Sequence, residues 1–279
     1  MAKVIATTAS YDQTYNTQTL HLPRLLAFHG GGTNPQIFKL QCRALTKALQ
    51  TSFRFVYVRA PYTSQPGPDV QTHFADKAPF LAWLRWSYKD GAKMPMPGEA
   101  VDSIHHNIKA AMDLDDARGA TGEWVGLLGF SQGAKLAASL LYTQQYCLRV
   151  LGREPSLHLP CFGFAVLIAG RSPLIWLDAE SKVPRGLIDA GTLSRAVPTD
   201  LEPVPRDERL VVPTLHVHGL KDPGLELHRG MLGGCCGEAS VEVMEWEGAH
   251  QVPIKSVDVA ALAQAILSLA RRSGRVEVL

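Results

Sequence analysis

The chain carries little charge. Of its 279 residues 19% are Asp, Glu, Lys or Arg, and the formal net charge is +2. So weak a bulk field gives no basis for nucleic-acid binding. The densest basic group, Arg271-Arg272 with Arg275, falls at an expected helix end, where positive charge suits the macrodipole. No uninterrupted apolar run reaches the roughly 20 residues of a membrane span, so no membrane association is expected. Met1 to Leu22 lacks an apolar stretch, and no secretory signal is expected. The last four residues match no targeting tail. The five cysteines, Cys42, Cys147, Cys161, Cys235 and Cys236, are odd in number and form no Cys-x-x-Cys. A reduced, cytoplasmic protein follows, with Cys235-Cys236 read as small loop residues rather than a metal or redox site. No Gly-x-x-x-x-Gly-Lys-Ser/Thr and no Gly-x-Gly-x-x-Gly occurs, which removes the common phosphate loops. His216 and His218 lie two apart and share one face of a strand. Further ligands are not evident, so a buried structural role is expected, and neither metal nor organic cofactor is implied.

What the chain does have is apolar residues, 46% of the total, in alternating strand and helix patterns. Strands are expected near 25–28, 53–58, 124–128, 162–168, 211–217 and 241–246. Helices are expected over 35–49, 99–114, from 134 to about 142, and over 256–270. Asn34-Pro35 supplies an N-cap followed by proline at N1. This alternation predicts an α/β fold, a mainly parallel sheet covered on both faces. With no internal repeat, the chain reads as one domain, residues 1–279, with two insertions. The first, about 60–98, holds six prolines with Phe74, Phe80, Trp83, Trp86 and Tyr88, too many aromatics for a solvated linker. The second, about 170–209, is either a substrate-covering insertion or a surface loop.

The chemistry concentrates at Gly129-Phe130-Ser131-Gln132-Gly133. A strand leads in and an Ala/Leu-rich helix leads out, the context of a nucleophile elbow. A serine hydroxyl is a weak nucleophile, so it needs a base and a group to orient that base. Asp222 follows the strand Leu215–His218, and His250 follows the strand Val243–Trp246. Both stand at strand carboxyl ends, where functional groups gather in such sheets. Ser131, Asp222 and His250 are therefore the candidate triad, with Asp189, Asp200 and Glu247 as fallback carboxylates. Acyl transfer also needs two N–H groups for the oxyanion. Gln132 is one candidate. The other lies in His29-Gly-Gly-Gly-Thr-Asn34, with Gly31 first and Gly32 second. Phe80, Trp83, Trp86, Phe130 and Trp176 are candidate walls of an acyl pocket. The competing reading for these aromatics is packing of the insertions against the body.

Taken together, His29–Asn34 with Ile37-Phe38, Arg59-Ala60-Pro61, Pro66-Gly67-Pro68, the elbow, Asp222 and Ala249-His250-Gln251-Val252-Pro253 resemble a known group. It is the fungal "family of serine hydrolases" branch of the α/β-hydrolases, over roughly Arg24 to Ala270. The resemblance implies an α/β-hydrolase fold and serine acyl transfer. Similar proteins include small esterases and stand-alone thioesterases that release polyketide chains from an acyl carrier domain, some by lactonisation. The expected activity is thus a thioesterase of that kind, with a carboxylesterase or a non-catalytic ligand-binding protein as alternatives. The acyl chain, the acceptor, oligomeric state and carrier docking surface are not legible.

Overall fold

The computed structural model describes residues 17–85, 96–156, 158–192 and 201–275. Its centre is a six-stranded sheet. The strands in chain order are β1 (Arg24–Phe28), β2 (Arg54–Val58), β5 (Trp124–Phe130), β6 (Phe164–Ile168), β9 (Thr214–Gly219) and β10 (Val241–Trp246). Two short pairs complete the numbering, β3 (Tyr62–Thr63) with β4 (Leu81–Ala82), and β7 (Ile175–Trp176) with β8 (Ile188–Asp189). The large sheet runs β10-β9-β6-β5-β1-β2, with every neighbouring pair parallel. Parallel neighbours require crossovers, and helices supply them. The helices between strands are α1 (Pro35–Gln41), α2 (Arg43–Ala48), α3 (Pro68–Phe74), α4 (Pro97–Ala117), α5 (Gln132–Arg149) and α6 (Leu225–Cys235), and α7 (Ser256–Arg272) follows the last strand.

Side chains alternate across each strand and so feed two cores. Leu25 and Ala27 of β1 pack with Phe38, Leu45, Leu262 and Ile266, the inner stripes of α1, α2 and α7. Leu26 and Phe28 pack with Ile104, Ile108, Leu136 and Met231, from α4, α5 and α6. On β9, Leu215 and Val217 join the first core. The alternation therefore turns His216 and His218 toward the face that carries α6. Among the described residues, no helix is long and apolar enough to cross a membrane.

The helix expected over 35–49 is two segments. Cys42 sits between them at φ −85° and ψ 1°. Its amide still reaches the Phe38 carbonyl at 2.9 Å, and its carbonyl accepts from Thr46 at 2.8 Å. The i→i−4 bonds carry through the division, so the two segments follow one continuous path with a local change of backbone angles.

Both expected insertions are ordered where described. In the first, β3 pairs antiparallel with β4, and Leu81 also bridges Thr33. That contact lays the segment over the glycine loop after β1. In the second, Leu174, Ile175, Trp176, Leu177, Leu187 and Ile188 are all buried. Asp178 anchors it: the carboxylate accepts from Arg153 at 2.6 and 3.1 Å and from the Ser156 amide at 2.9 Å.

Candidate active site

Ser131 stands between β5 and α5 at φ 54° and ψ −114°. A non-glycine residue there is strained and persists only when its surroundings enforce it. They do so here through tight packing. A Cβ on Gly129 would lie 2.4 Å from the Gly133 carbonyl oxygen, and one on Gly133 would lie 2.1 Å from the Phe28 carbonyl oxygen. Only glycine fits at either position. The Ser131 amide donates to Ile168 of the neighbouring strand at 2.8 Å.

The loops after β9 and β10 are stitched to each other. The Leu220 amide donates to the Trp246 carbonyl at 2.9 Å, and the Lys221 amide to Gly248 at 2.8 Å. A Cβ on Gly219 would meet the Gly248 and Ala249 carbonyl oxygens at 2.5 Å, so this approach also demands glycine. The stitching sets Asp222 beside His250. His250 Nδ1 lies 2.7 Å from Asp222 Oδ2, and His250 Nε2 lies 2.9 Å from Ser131 Oγ. A carboxylate only accepts, so Nδ1 carries the proton and Nε2 presents its lone pair to the serine hydroxyl. The Phe130 ring lies 5.0 Å from the His250 ring, centroid to centroid.

The electrostatics suit a base poised to work. Burial is the largest influence on His250 and lowers its proton affinity; Asp222 opposes that, while Arg171 and His228 add to it. The net pKa lies below the ordinary histidine value. Burial pushes Asp222 up, but the Gly224 amide and the His250 and His228 contacts outweigh it, leaving the carboxyl below its usual range.

Gln132 opens α5, so its N–H has no intrahelical acceptor. Among the described residues, the Gly31 N–H likewise has no acceptor. Gly32 differs from expectation. Its N–H donates to the Leu81 carbonyl at 2.8 Å, and its φ of 75° holds the turn that makes this possible. It is therefore unavailable to an oxyanion. The loop is rigidly held. His29 Nε2 accepts the Ala60 amide at 3.2 Å, which leaves Nδ1 to donate to the Gly30 carbonyl at 2.8 Å. Burial lowers the His29 pKa to about 4, so the ring is neutral.

The aromatic candidates divide. Phe130 lines the site. Phe80 is half-buried. Trp83 is fully buried, its indole N–H donating to the His29 carbonyl at 2.8 Å. It braces the glycine loop. Trp176 is buried as well. Its ring packs edge-on against Tyr146 at 5.4 Å. Tyr146 lies 15 residues beyond Ser131 on one helix, about 22 Å at 1.5 Å per residue. Trp86 and the fallback Asp200 lie outside the described residues. Asp189 caps its own turn through the Gly191 amide, and Glu247 pairs with Lys221. Neither contacts His250.

One residue escaped the sequence reading. His228, on α6, places Nε2 2.9 Å from Asp222 Oδ2. Asp222, His228 and His250 offer potential ligand atoms within 4.8 Å of one another. Those same atoms are already joined by hydrogen bonds. His216 and His218 are neutral, burial lowering them to about 3 and about 4, and the His218 ring lies 5.9 Å from that of His228. Burial raises the Cys235 and Cys236 thiols to about 11 and about 12, which keeps them protonated and unreactive.

The model of the family described as "Serine hydrolase (FSH1)" matches residues 18–262. The chain belongs to that family. Among similar curated proteins, Esterase dbaE of Emericella nidulans is 50% identical over 262 residues, covering 92% of this chain and 93% of its own length. Esterase pigG of Monascus ruber is 47% identical, with coverage of 92% and 94%. Among solved structures, acyl-protein thioesterase 2 of Zea mays superposes with a TM-score of 0.50 at 16% identity, covering 90% of this chain and 94% of that one. At that identity the likeness bears on the fold alone, which is the α/β-hydrolase fold. As a member of this family the chain is a serine hydrolase, an enzyme of the hydrolase class.

Proposed function

We propose that this serine hydrolase is an esterase or thioesterase that releases a polyketide acyl chain from an acyl carrier domain. The observation that carries the acyl-transfer reading is the continuous line from Asp222 Oδ2 through His250 to Ser131 Oγ, at 2.7 and 2.9 Å. Next to Ser131 the Gln132 N–H has no intrahelical acceptor, and among the described residues the Gly31 N–H has none either. Ser131 Oγ attacks the acyl carbonyl carbon while His250 Nε2 takes its proton. The carbonyl oxygen becomes an oxyanion held by the Gln132 and Gly31 amides. Asp222 fixes the His250 tautomer and stabilises its cation. The C–S or C–O bond then breaks, and His250 protonates the leaving thiol or alcohol. In the second half, His250 deprotonates water or a hydroxyl of the chain itself. That oxygen attacks the acyl-serine carbonyl carbon, the bond from that carbon to Ser131 Oγ breaks, and His250 returns the proton to Oγ.

Relatives named as esterases favour a second reading, a carboxylesterase of small oxyesters. One comparison separates the two: kcat/KM for acyl thioesters of the pantetheine type against nitrophenyl esters of the same acyl groups. A preference for thioesters that grows with chain length supports the first reading. Equal rates, or a preference for short oxyesters, support the second.

A further inference from the structure

The triad carboxylate has two histidine partners. Asp222 Oδ2 is 2.7 Å from His250 Nδ1 and 2.9 Å from His228 Nε2, while Oδ1 accepts the Gly224 amide at 2.7 Å. His228 rises from the start of α6 and is completely buried. Its other ring nitrogen, Nδ1, lies 2.9 Å from the Gly170 carbonyl oxygen. A carbonyl and a carboxylate can only accept. A neutral imidazole has one N–H and one lone pair. With the proton on Nδ1, a lone pair faces the Asp222 carboxylate; with the proton on Nε2, a lone pair faces the Gly170 carbonyl. Only the doubly protonated ring donates to both.

The surroundings permit that charge. His250 stacks on His228 at 5.9 Å between ring centroids, and His218 of β9 lies at 5.9 Å on the other flank. His218 is kept neutral by burial, so it does not compete for the same proton. Arg171, after β6, approaches the Asp222 turn, its guanidinium lying 2.5 Å from where a Gly224 Cβ would stand. Arg229 of α6 and Glu245 of β10 face His218 and pair with each other at 2.8 Å. Burial of the ring and the positive end of α6 both oppose a cation at His228. Two charge-assisted hydrogen bonds, one to a carboxylate, are the larger effect.

We propose that His228 carries a proton on both ring nitrogens in the resting enzyme, and acts as a positioning residue that locks Asp222 and tunes the basicity of His250. The proposal rests on the reading of His250 as the base. A carboxylate already paired with one imidazolium stabilises a second one less. His250 therefore stays unprotonated, and able to accept from Ser131, at lower pH than with Asp222 to itself. The two imidazoles divide the labour: one holds the carboxylate, the other exchanges the proton.

The test is the pH profile of kcat/KM toward p-nitrophenyl acetate for the wild type and for His228→Gln, which keeps a neutral donor to Asp222. The acid limb is expected to move up by about 0.5–1 pH unit as the neighbouring cation is lost. An unmoved limb in the folded variant overturns the proposal. Proton–nitrogen correlation spectra of the wild-type histidines give a second readout that needs no variant. Both His228 nitrogens are expected to be protonated in the folded resting enzyme, and a neutral tautomer overturns the proposal. Wild-type-like turnover in Ser131→Ala would instead remove the triad reading, without bearing on the protons of His228.

Discussion

The backbone N–H of Trp83 donates to the side-chain Oε1 of Gln132 at 2.7 Å, and Gln132 Nε2 donates onward to the Leu84 carbonyl at 2.9 Å. Through these two bonds the first residue of α5 is clamped to the segment after β4. The same segment holds the glycine loop, because the Trp83 indole donates to the His29 carbonyl. Both N–H groups proposed for the oxyanion are thus fixed to one strap. Gln132→Ala would leave a buried N–H and a buried carbonyl without partners, at about 1–3 kcal/mol each. It is expected to lower kcat by about tenfold or more and to lower stability, read by steady-state kinetics and urea unfolding. Trp83→Ala is expected to reduce turnover of short and long acyl substrates alike, since the ring is a brace. A loss confined to long chains would make it a pocket wall.

Neutral His250 is the active form, and its pKa is depressed chiefly by burial. Protonation on acidification removes the base. The acid limb of the wild-type kcat/KM profile is expected below the ordinary histidine value of about 6.5. A midpoint above that value would mean that Asp222 outweighs burial.

Glycine has two distinct uses in this chain. Gly133→Ala would drive a Cβ to 2.1 Å from the Phe28 carbonyl, and neither backbone can yield without opening the elbow. The variant is expected to be inactive and poorly folded. Gly230 lies on α6 with nothing within 4 Å of its Cβ position. Gly230→Ala is expected to stabilise by about 0.5–1 kcal/mol through helix propensity alone. Thermal unfolding and activity of the two proteins check the contrast.

Asp115 at the C-terminal part of α4 receives the Arg54 guanidinium at 2.6 Å and lies 3.5 Å from Arg24. Arg24 and Arg54 begin β1 and β2, at the N-terminal ends of the strands, opposite the elbow. Asp115→Ala is expected to cost about 3–5 kcal/mol, the usual loss when one partner of a buried ion pair is removed. Activity per folded molecule should not change. Denaturant titration together with active-site counting checks both parts.

The sheet and the meeting of Ser131, Asp222 and His250 were legible because each depends on local pattern. Gly129 and Gly133 flank a strand-to-helix turn, and Asp222 and His250 each follow a strand of the same sheet. The break at Cys42 was not legible, since Phe38 and Leu45 keep their apolar spacing across it. Gly31 and Gly32 look alike in sequence and are separated only by a long-range bond to Leu81. Trp83 and Trp176 are apolar in any reading, and only tertiary placement shows them as packing. His228 left no mark, because its contacts with Asp222 and Gly170 arise from how α6 docks on the sheet.

The most direct measurement is peptide mass mapping after reaction with a fluorophosphonate, an agent that phosphonylates an activated serine oxygen. Stoichiometric modification on the peptide containing Ser131, abolished in His250→Ala, is the expected result. No adduct, or an adduct on another residue at full occupancy, would contradict the assignment of Ser131 as a nucleophile activated by His250.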